Sequence, residues 1–470
     1  MWVILSSVLV AALYAAAVFC ALRAAATART PQGAVGWVVF LIAAPVLALP
    51  AYLFLGHHRI SGYLVSRRET RLVVDAVREF SARNAPGADP SGINRAPFEA
   101  CANLKAVRGN GMDLLIDGAA TYPAIFDAID AARDYVLVQY YIIHDDEIGQ
   151  ALKARLIAAA ARGVTVRLMT DGVGCIALPD RFYAELRDAG VQIPDPRQSP
   201  GPRFRFQINY RNHRKTVIVD GITGFTGGLN VGREYDGRDP RFGPWRDTHV
   251  KLQGPIVSQL QLIFVEDWHW ATGETLRSAL NWEAPHHPDD LTGLIVATGP
   301  ADLRETGSLM FFSAIAAARE RIWIATPYFV PDIDIITALR HAALRGVDVR
   351  ILMPDRIDHR LPWLAAFSFF DDLMRDGVRI FRYMDGFMHQ KVFVVDDTLA
   401  AIGTANLDNR SFRLNFEAMA LFFDARAAAA VDRMLCADLE KAFELSDTLV
   451  NQPAYIRYGA PVARLFAPLL

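Results

Sequence analysis

Two histidines in this chain stand in the same company. Asn212-His213-Arg214-Lys215-Thr-Val-Ile-Val-Asp220 is followed by Gly227-Gly-Leu-Asn230, and Met388-His389-Gln390-Lys391-Val-Phe-Val-Val-Asp396 by Gly403-Thr-Ala-Asn406. Both copies fit His-x-Lys-x4-Asp-x6-Gly-x-x-Asn. The apolar residues after each lysine favour a strand, and residues two apart on a strand share a face, so each histidine and its lysine point the same way. A phosphate group could meet both at once. Imidazole, with an ordinary pKa of about 6.5, suits a nucleophile or proton carrier near neutral pH. The lysines Lys215 and Lys391 supply fixed positive charge, and Asn230 and Asn406 can donate to phosphate oxygens whose charge grows in the transition state. A single copy could be a core histidine beside a salt-bridged lysine. Two copies at identical spacing argue against that, and a lysine cation between would-be ligands disfavours a divalent metal.

A histidine in this role needs a carboxylate to set its tautomer. Asp220 and Asp396 belong to the repeated catalytic motif, but they lie past the strand from their histidines and are better placed to fix the turn. Aligning the repeats downstream sets Trp245-Arg-Asp247-Thr-His-Val-Lys-Leu against Asn415-Phe-Glu417-Ala-Met-Ala-Leu-Phe, each opening a strand. Asp247 and Glu417 are therefore the expected orienting carboxylates.

The elements that must position these groups also repeat. Tyr135–Asp171 reads as strand, helix, then Arg162-Gly-Val-Thr-Val-Arg-Leu-Met, and Arg321–Asp355 reads as strand, helix, then Arg345-Gly-Val-Asp-Val-Arg-Ile-Leu-Met. In each, Arg-Gly-Val closes a helix and a buried strand follows, so the fold class is α/β with a duplicated domain. The N-terminus differs. Hydrophobic residues make up 52% of the 470, and residues 1–58 carry only two charges, Arg23 and Arg29. Trp2–Leu22 and Val35–Leu55 are charge-free and, at 21 residues each, long enough at about 1.5 Å per residue to cross a bilayer core. Two transmembrane helices are expected, the second bent by Pro45 and Pro50. The layout is then an anchor over 1–58, a linker over 59–110, and α/β domains over 111–290 and 291–470. Arg59, Arg67, Arg68 and Arg71 after the second span outnumber Arg23 and Arg29 between the spans, which places both termini in the cytoplasm. With the anchor's arginines set aside, the remainder is slightly acidic, which argues against nucleic acid as a partner. The four cysteines show no paired spacing and read as buried free thiols.

The double motif resembles that of the phospholipase D superfamily, whose name-giving signature it is. The chain is similar in particular to bacterial cardiolipin synthases in Asn209-Tyr-Arg-Asn-His-Arg-Lys215, Gly224-Phe-Thr-Gly-Gly-Leu-Asn230, Trp245-Arg-Asp-Thr-His249, Thr326-Pro-Tyr-Phe-Val-Pro-Asp332, Gly403-Thr-Ala-Asn-Leu-Asp408 and Leu465-Phe-Ala-Pro-Leu-Leu470. The resemblance implies two tandem phospholipase D-like domains (a mixed sheet flanked by helices) that form one active site, and each carboxylate is expected to serve the histidine of the opposite half. It implies a phosphatidyl-histidine intermediate, no metal or other cofactor, and two phosphatidylglycerols giving cardiolipin and glycerol at the inner membrane. The superfamily's habit makes His213 the nucleophile. Hydrolysis, or transfer to another alcohol, remains open. Gly228 departs from the Ser of many superfamily members, which puts one phosphate hydrogen bond in doubt. Arg203, Arg205, Arg211, Arg214 and Arg233 could draw an anionic headgroup or simply be solvated. Phe367-Ser-Phe-Phe and the tail Leu465–Leu470 could dip into the membrane, but packing on the core is expected, and the pairs Tyr140-Tyr141 and Tyr328-Phe329 that end strands could wall the acyl entrance or fill the core. The sequence carries no signal of oligomeric state.

Overall fold

The computed structural model describes residues 1–28, 30–56, 71–87, 92–194 and 211–470. The described residues divide into two units, the N-terminal helices and the body that holds those from Arg71 onward.

In the N-terminal unit the first helix, Trp2–Thr27, is 26 residues long, more than a bilayer core requires at about 1.5 Å per residue. The second expected span is not one helix. It is Pro31–Ala43 followed by Pro45–Leu55, with Ala44 out of helical conformation at φ −141°. Pro45 has no N–H to continue the ladder and its ring would meet the carbonyl one turn back, so the helix restarts there. Among the described residues, only the first helix is by itself long and apolar enough to cross a membrane. Of the arginines used to orient the spans, Arg29, Arg59, Arg67 and Arg68 lie outside the described residues.

In the body the first-half strands are β1 (Val107–Ile116), β2 (Tyr135–Tyr140), β3 (Thr165–Thr170), β4 (Arg211–Asn212), β5 (Thr216–Val219), β6 (Thr223–Gly227), β7 (Trp245–Arg246) and β8 (Thr248–Gln253). The second-half strands are β9 (Leu291–Thr298), β10 (Arg321–Ala325), β11 (Phe329–Val330), β12 (Asp348–Pro354), β13 (Arg379–Tyr383), β14 (Phe387–Met388), β15 (Val392–Val395), β16 (Leu399–Gly403), β17 (Leu407–Asp408), β18 (Asn415–Phe422) and β19 (Ala442–Glu444). One fifteen-stranded mixed sheet runs β19-β13-β12-β10-β15-β16-β18-β9-β1-β8-β6-β5-β2-β3, with β4 attached to β18. From the β9–β1 seam outward both directions give the same succession, so the sequence repeat is a structural one.

The strands alternate sides as a period of two requires. Leu137 faces the helices Ile256–Thr272 and Ala425–Leu439, which share one face of the sheet, while Val136 and Val138 face the helices of the first half on the other. Phe367, Phe369 and Phe370 are buried as expected. The tail is split, since Ala467 and Leu470 pack against the same cluster while Leu465 is 77% exposed. Of the free cysteines only Cys175 is buried and Cys436 is exposed, contrary to the reading of all four as buried.

Candidate active site

Each histidine is delivered by a short strand that crosses to the other half. β4 pairs in parallel with the start of β18, and the His213 N–H donates to the Phe416 carbonyl at 2.9 Å. β14 pairs in parallel with β7, and the His389 N–H donates to the Arg246 carbonyl at 2.8 Å. The residue after each of those carbonyls is the opposite half's carboxylate. His213 Nδ1 therefore meets Glu417 at 2.8 and 3.0 Å, and His389 Nδ1 meets Asp247 Oδ2 at 2.9 Å. Both carboxylates are fully buried. A carboxylate on Nδ1 fixes the proton there and leaves Nε2 to act.

The two lysines sit beside their histidines. Lys215 Nζ donates to the His213 carbonyl at 2.7 Å, and Lys391 Nζ donates to the His389 carbonyl. Burial pushes Lys215 down to about 7 and Lys391 to about 8, and Lys215 is lowered further by the charge of Lys391. Burial likewise lowers both histidines and both lysines add to it, but Glu417 pulls His213 back up, so His389 is lowered further. Lys391 acts on His213 and Lys215 on His389, so the two motifs share one electrostatic site. A neutral imidazole with its lone pair on Nε2 is what nucleophilic attack and proton abstraction need.

The carboxylates are held differently. Glu417 accepts from Thr404 Oγ1 at 2.6 Å, Ser411 Oγ at 3.0 Å and Asn415 Nδ2 at 3.1 Å. Burial raises its pKa, yet His213, Lys215 and Thr404 together hold it below the ordinary value. Asp247 accepts from the Thr248 N–H at 2.8 Å and from Trp245 Nε1 at 3.4 Å, and burial leaves its pKa raised. Gly228 stands where the second copy has Thr404. A Cβ there would lie 1.9 Å from Asp247 Oδ1, so the carboxylate fills the space that a serine side chain would take.

The remaining expected residues are placed as follows. Asp220 and Asp396 each adopt left-handed backbone, φ 52° and 47°. The Asp220 carboxylate accepts from the N–H groups of Arg133, Asp134 and Tyr135, and that of Asp396 from Arg319, Glu320 and Arg321. They pin the entry to β2 and β10 at the far ends of the motif strands. Asn230 Oδ1 accepts from the Ile142 N–H at 3.2 Å and its side chain also bonds Tyr235. Asn406 bonds Asp408, and its buried Oδ1 has no partner among the described residues. Arg214 does not face the site. It is 1% exposed and paired with Asp267 at 2.8 Å on the opposite side of the sheet, as a residue between two same-facing neighbours must be. Arg233 is exposed, and Arg203 and Arg205 lie outside the described residues.

Asp438, Arg410, Asp358 and His359 were not read from the sequence as site residues. Asp438, under the other motif, binds Arg246 Nε at 2.6 Å and Gln390 Nε2 at 2.8 Å, the counterpart of Asp267 with Arg214. Tyr141 packs edge-on to His213 at 4.9 Å with Arg211 and Arg410 beside its hydroxyl. Tyr328 lies 6.5 Å from His389 and donates to Asp358, with His359 over its ring at 6.0 Å. Of the two aromatic pairs that end strands, Tyr140 and Phe329 fill the core while Tyr141 and Tyr328 face the histidines.

The family described as "Cardiolipin synthase, PLD-like domain" matches residues 125–236 and 311–439, segments that hold the two motifs. Cardiolipin synthase A of Pseudomonas fluorescens strain Pf-5 is 44% identical to this chain over 474 aligned positions, 98% of each. The chain belongs to this family. Cardiolipin synthase A of Pseudomonas putida strain W619 is 45% identical over 96% of each chain. A crystal structure of phosphatidylserine synthase from Haemophilus influenzae covers 80% of this chain and 99% of its own at a TM-score of 0.62 and 16% identity, a likeness of fold.

Proposed function

We propose that this protein is a phosphatidyltransferase, a cardiolipin synthase, that joins two phosphatidylglycerols into cardiolipin and releases glycerol. What carries the reading is the crosswise pairing of each motif histidine with a buried carboxylate of the other half, in a chain 44% identical to curated cardiolipin synthases over nearly its full length. His213 Nε2 attacks phosphorus and the bond from phosphorus to the glycerol oxygen breaks, with His389, protonated on Nε2 once the anionic phosphate is bound beside it, giving that oxygen its proton. The hydroxyl of a second phosphatidylglycerol then gives its proton to His389 and attacks phosphorus, and the bond to His213 breaks. Exchange of one primary alcohol for another is nearly isoenergetic and needs no nucleotide. Lys215 and Lys391 hold the phosphate, and its negative charge restores the charge that burial takes from them. Asn230 and Asn406 complete the phosphate shell through their amides. Asp220 and Asp396 serve the fold. Glu417 fits His213 as nucleophile, because a carboxylate kept anionic by three further donors stabilises the cationic phosphoimidazolium.

The layout consistent with this chemistry is a membrane anchor over 1–58, a linker over 59–110, and two phospholipase D-like halves over 111–290 and 291–470. The broken helix Pro31–Leu55 serves as a second, kinked crossing, which with the arginine bias puts the catalytic body at the cytoplasmic face of the inner membrane. The test is to incubate purified protein with phosphatidylglycerol alone and weigh the products. Cardiolipin and glycerol in equal amounts are expected. Phosphatidic acid without cardiolipin would make the protein a hydrolase, and product formed only after adding phosphatidylethanolamine or a polyol would change the acceptor.

A further inference from the structure

The last helix, Ala454–Arg464, is apolar on two sides. Ile456, Ala460 and Ala463 pack against the body, where they join the cluster built on Phe367, Phe369 and Phe370. Tyr455, Tyr458, Val462 and Leu465 face the other way and are 66%, 68%, 57% and 77% exposed, with Phe466 beside them. At about 100° per residue these four fall within an arc of about 80°, opposite the buried stripe. A helix on the surface of a water-soluble body turns charged residues outward. Here the only charged side chains from Thr448 to the end are Arg457 and Arg464. Both are exposed and sit on one flank, between the two apolar stripes.

We infer that this C-terminal helix, with Leu465 and Phe466, is a docking surface for a bilayer that presents anionic phospholipid. Two tyrosines at an apolar edge and two arginines, in a segment without an acidic residue from Thr448 to Leu470, match the interface of such a bilayer, apolar below and negatively charged at the headgroups. The helix is also joined to the site. The Arg410 N–H donates to the Leu470 carbonyl at 2.7 Å, and its guanidinium to the Leu469 carbonyl at 3.2 Å. The next residue, Ser411, holds Glu417, which orients His213. The end of the chain that would rest on the lipid thus braces the carboxylate behind His213, and a seated helix brings the site to the surface where its substrate's phosphate lies. This rests on the reading of the substrate as a bilayer phospholipid.

The test uses the full chain in vesicles of phosphatidylglycerol and phosphatidylcholine that contain a lipid with a photoreactive acyl chain. Lipid adducts are expected on Tyr455, Tyr458, Val462, Leu465 or Phe466, and their absence from 455–466 would overturn the inference. Tyr458→Glu with Leu465→Glu is expected to slow turnover of long-chain phosphatidylglycerol in vesicles by about ten-fold or more while leaving turnover of a short-chain, monomeric phosphatidylglycerol unchanged. Equal loss on both substrates, or loss accompanied by dissociation of a dimer in light scattering, would mean the stripe meets protein rather than lipid. Wild-type protein that makes no cardiolipin from the monomeric substrate would sink the functional reading alone, since the adducts report docking independently.

Discussion

The two half-sites share a backbone plan down to the bond that fixes each histidine N–H, but their side-chain supports differ. Glu417 has Thr404, Ser411 and Asn415 behind it, whereas Asp247 has one backbone N–H and an indole, with Gly228 in place of the threonine. Arg211 and Arg410 stand by Tyr141 on the His213 side. Tyr328, Asp358 and His359 stand on the His389 side. The symmetric frame sets where the groups are, and residues outside the motif set what each does. A carboxylate held anionic suits a histidine that becomes cationic on phosphorylation. One whose proton affinity burial has raised suits a histidine that gains and loses a proton each turn.

The comparison breaks most visibly if the histidines are exchanged in role. With a substrate whose leaving group needs no proton, His389→Asn is expected to form the labelled lipid–protein intermediate and His213→Asn to form none. On phosphatidylglycerol His389→Asn should lose about 10² to 10⁴ in rate, the usual worth of acid–base assistance. Label kept by His213→Asn and lost from His389→Asn would exchange the assignments. Next in size, Glu417→Gln should slow the formation of that intermediate more than Asp247→Asn does, by about ten-fold, because it removes the charge that three donors were arranged to hold. Rapid-quench measurement of the labelled intermediate separates them, and equal losses would mean the supports are decorative.

Gly228→Ser sharpens the same contrast from the other side. Its Cβ displaces Asp247 and should cost about 10² in rate, the scale of an ångström-sized misplacement, while Thr404→Val, losing one hydrogen bond to a charged group, should cost about ten-fold. Steady-state kinetics at saturating substrate measures both. The smallest effect is in pH. Lys215 and Lys391 must carry protons to hold phosphate, and their lowered values of about 7 and about 8 mean that charge is lost as pH rises through that range in the empty site. Thus kcat/KM should fall on the alkaline side there, and kcat should hold to higher pH because bound phosphate keeps the ammonium form. A kcat/KM profile flat to pH 9 (roughly one unit above the higher lysine) would refute the burial effect.

Much of this was legible in the sequence because it repeats. The motif spacing located His213 and His389, and aligning the copies reached Asp247 and Glu417 across dissimilar sequence, 16 intervening residues after Asn230 in the first half and 10 after Asn406 in the second. The fate of Arg214 was also within reach, since a period of two sends the residue between His213 and Lys215 to the opposite face. Its acceptor Asp267 was not, because it comes from a helix far along the chain. The break before Pro45 was underestimated as a bend. Thr404 and Ser411 reach Glu417 only through the folded geometry of a turn and a five-residue helix. The exposed stripe on the last helix escaped notice because apolar spacing says that a face is apolar, and a chain with apolar spacing on both faces looks the same whether lipid or protein covers it.

β4 and β14 each cross the midline to pair with the strand that carries the other half's carboxylate. This is the reciprocal contact of an isologous dimer, residue i on one copy meeting j on the other and j meeting i, drawn with a single polypeptide. Severed at the β9–β1 seam, neither piece would own a complete histidine–carboxylate pair. Joining them replaces encounter between two molecules with a fixed local concentration of each half at the other. It also lifts a constraint: a residue in a true homodimer changes in both sites at once, whereas here Gly228 and Thr404 occupy equivalent places and answer to separate codons.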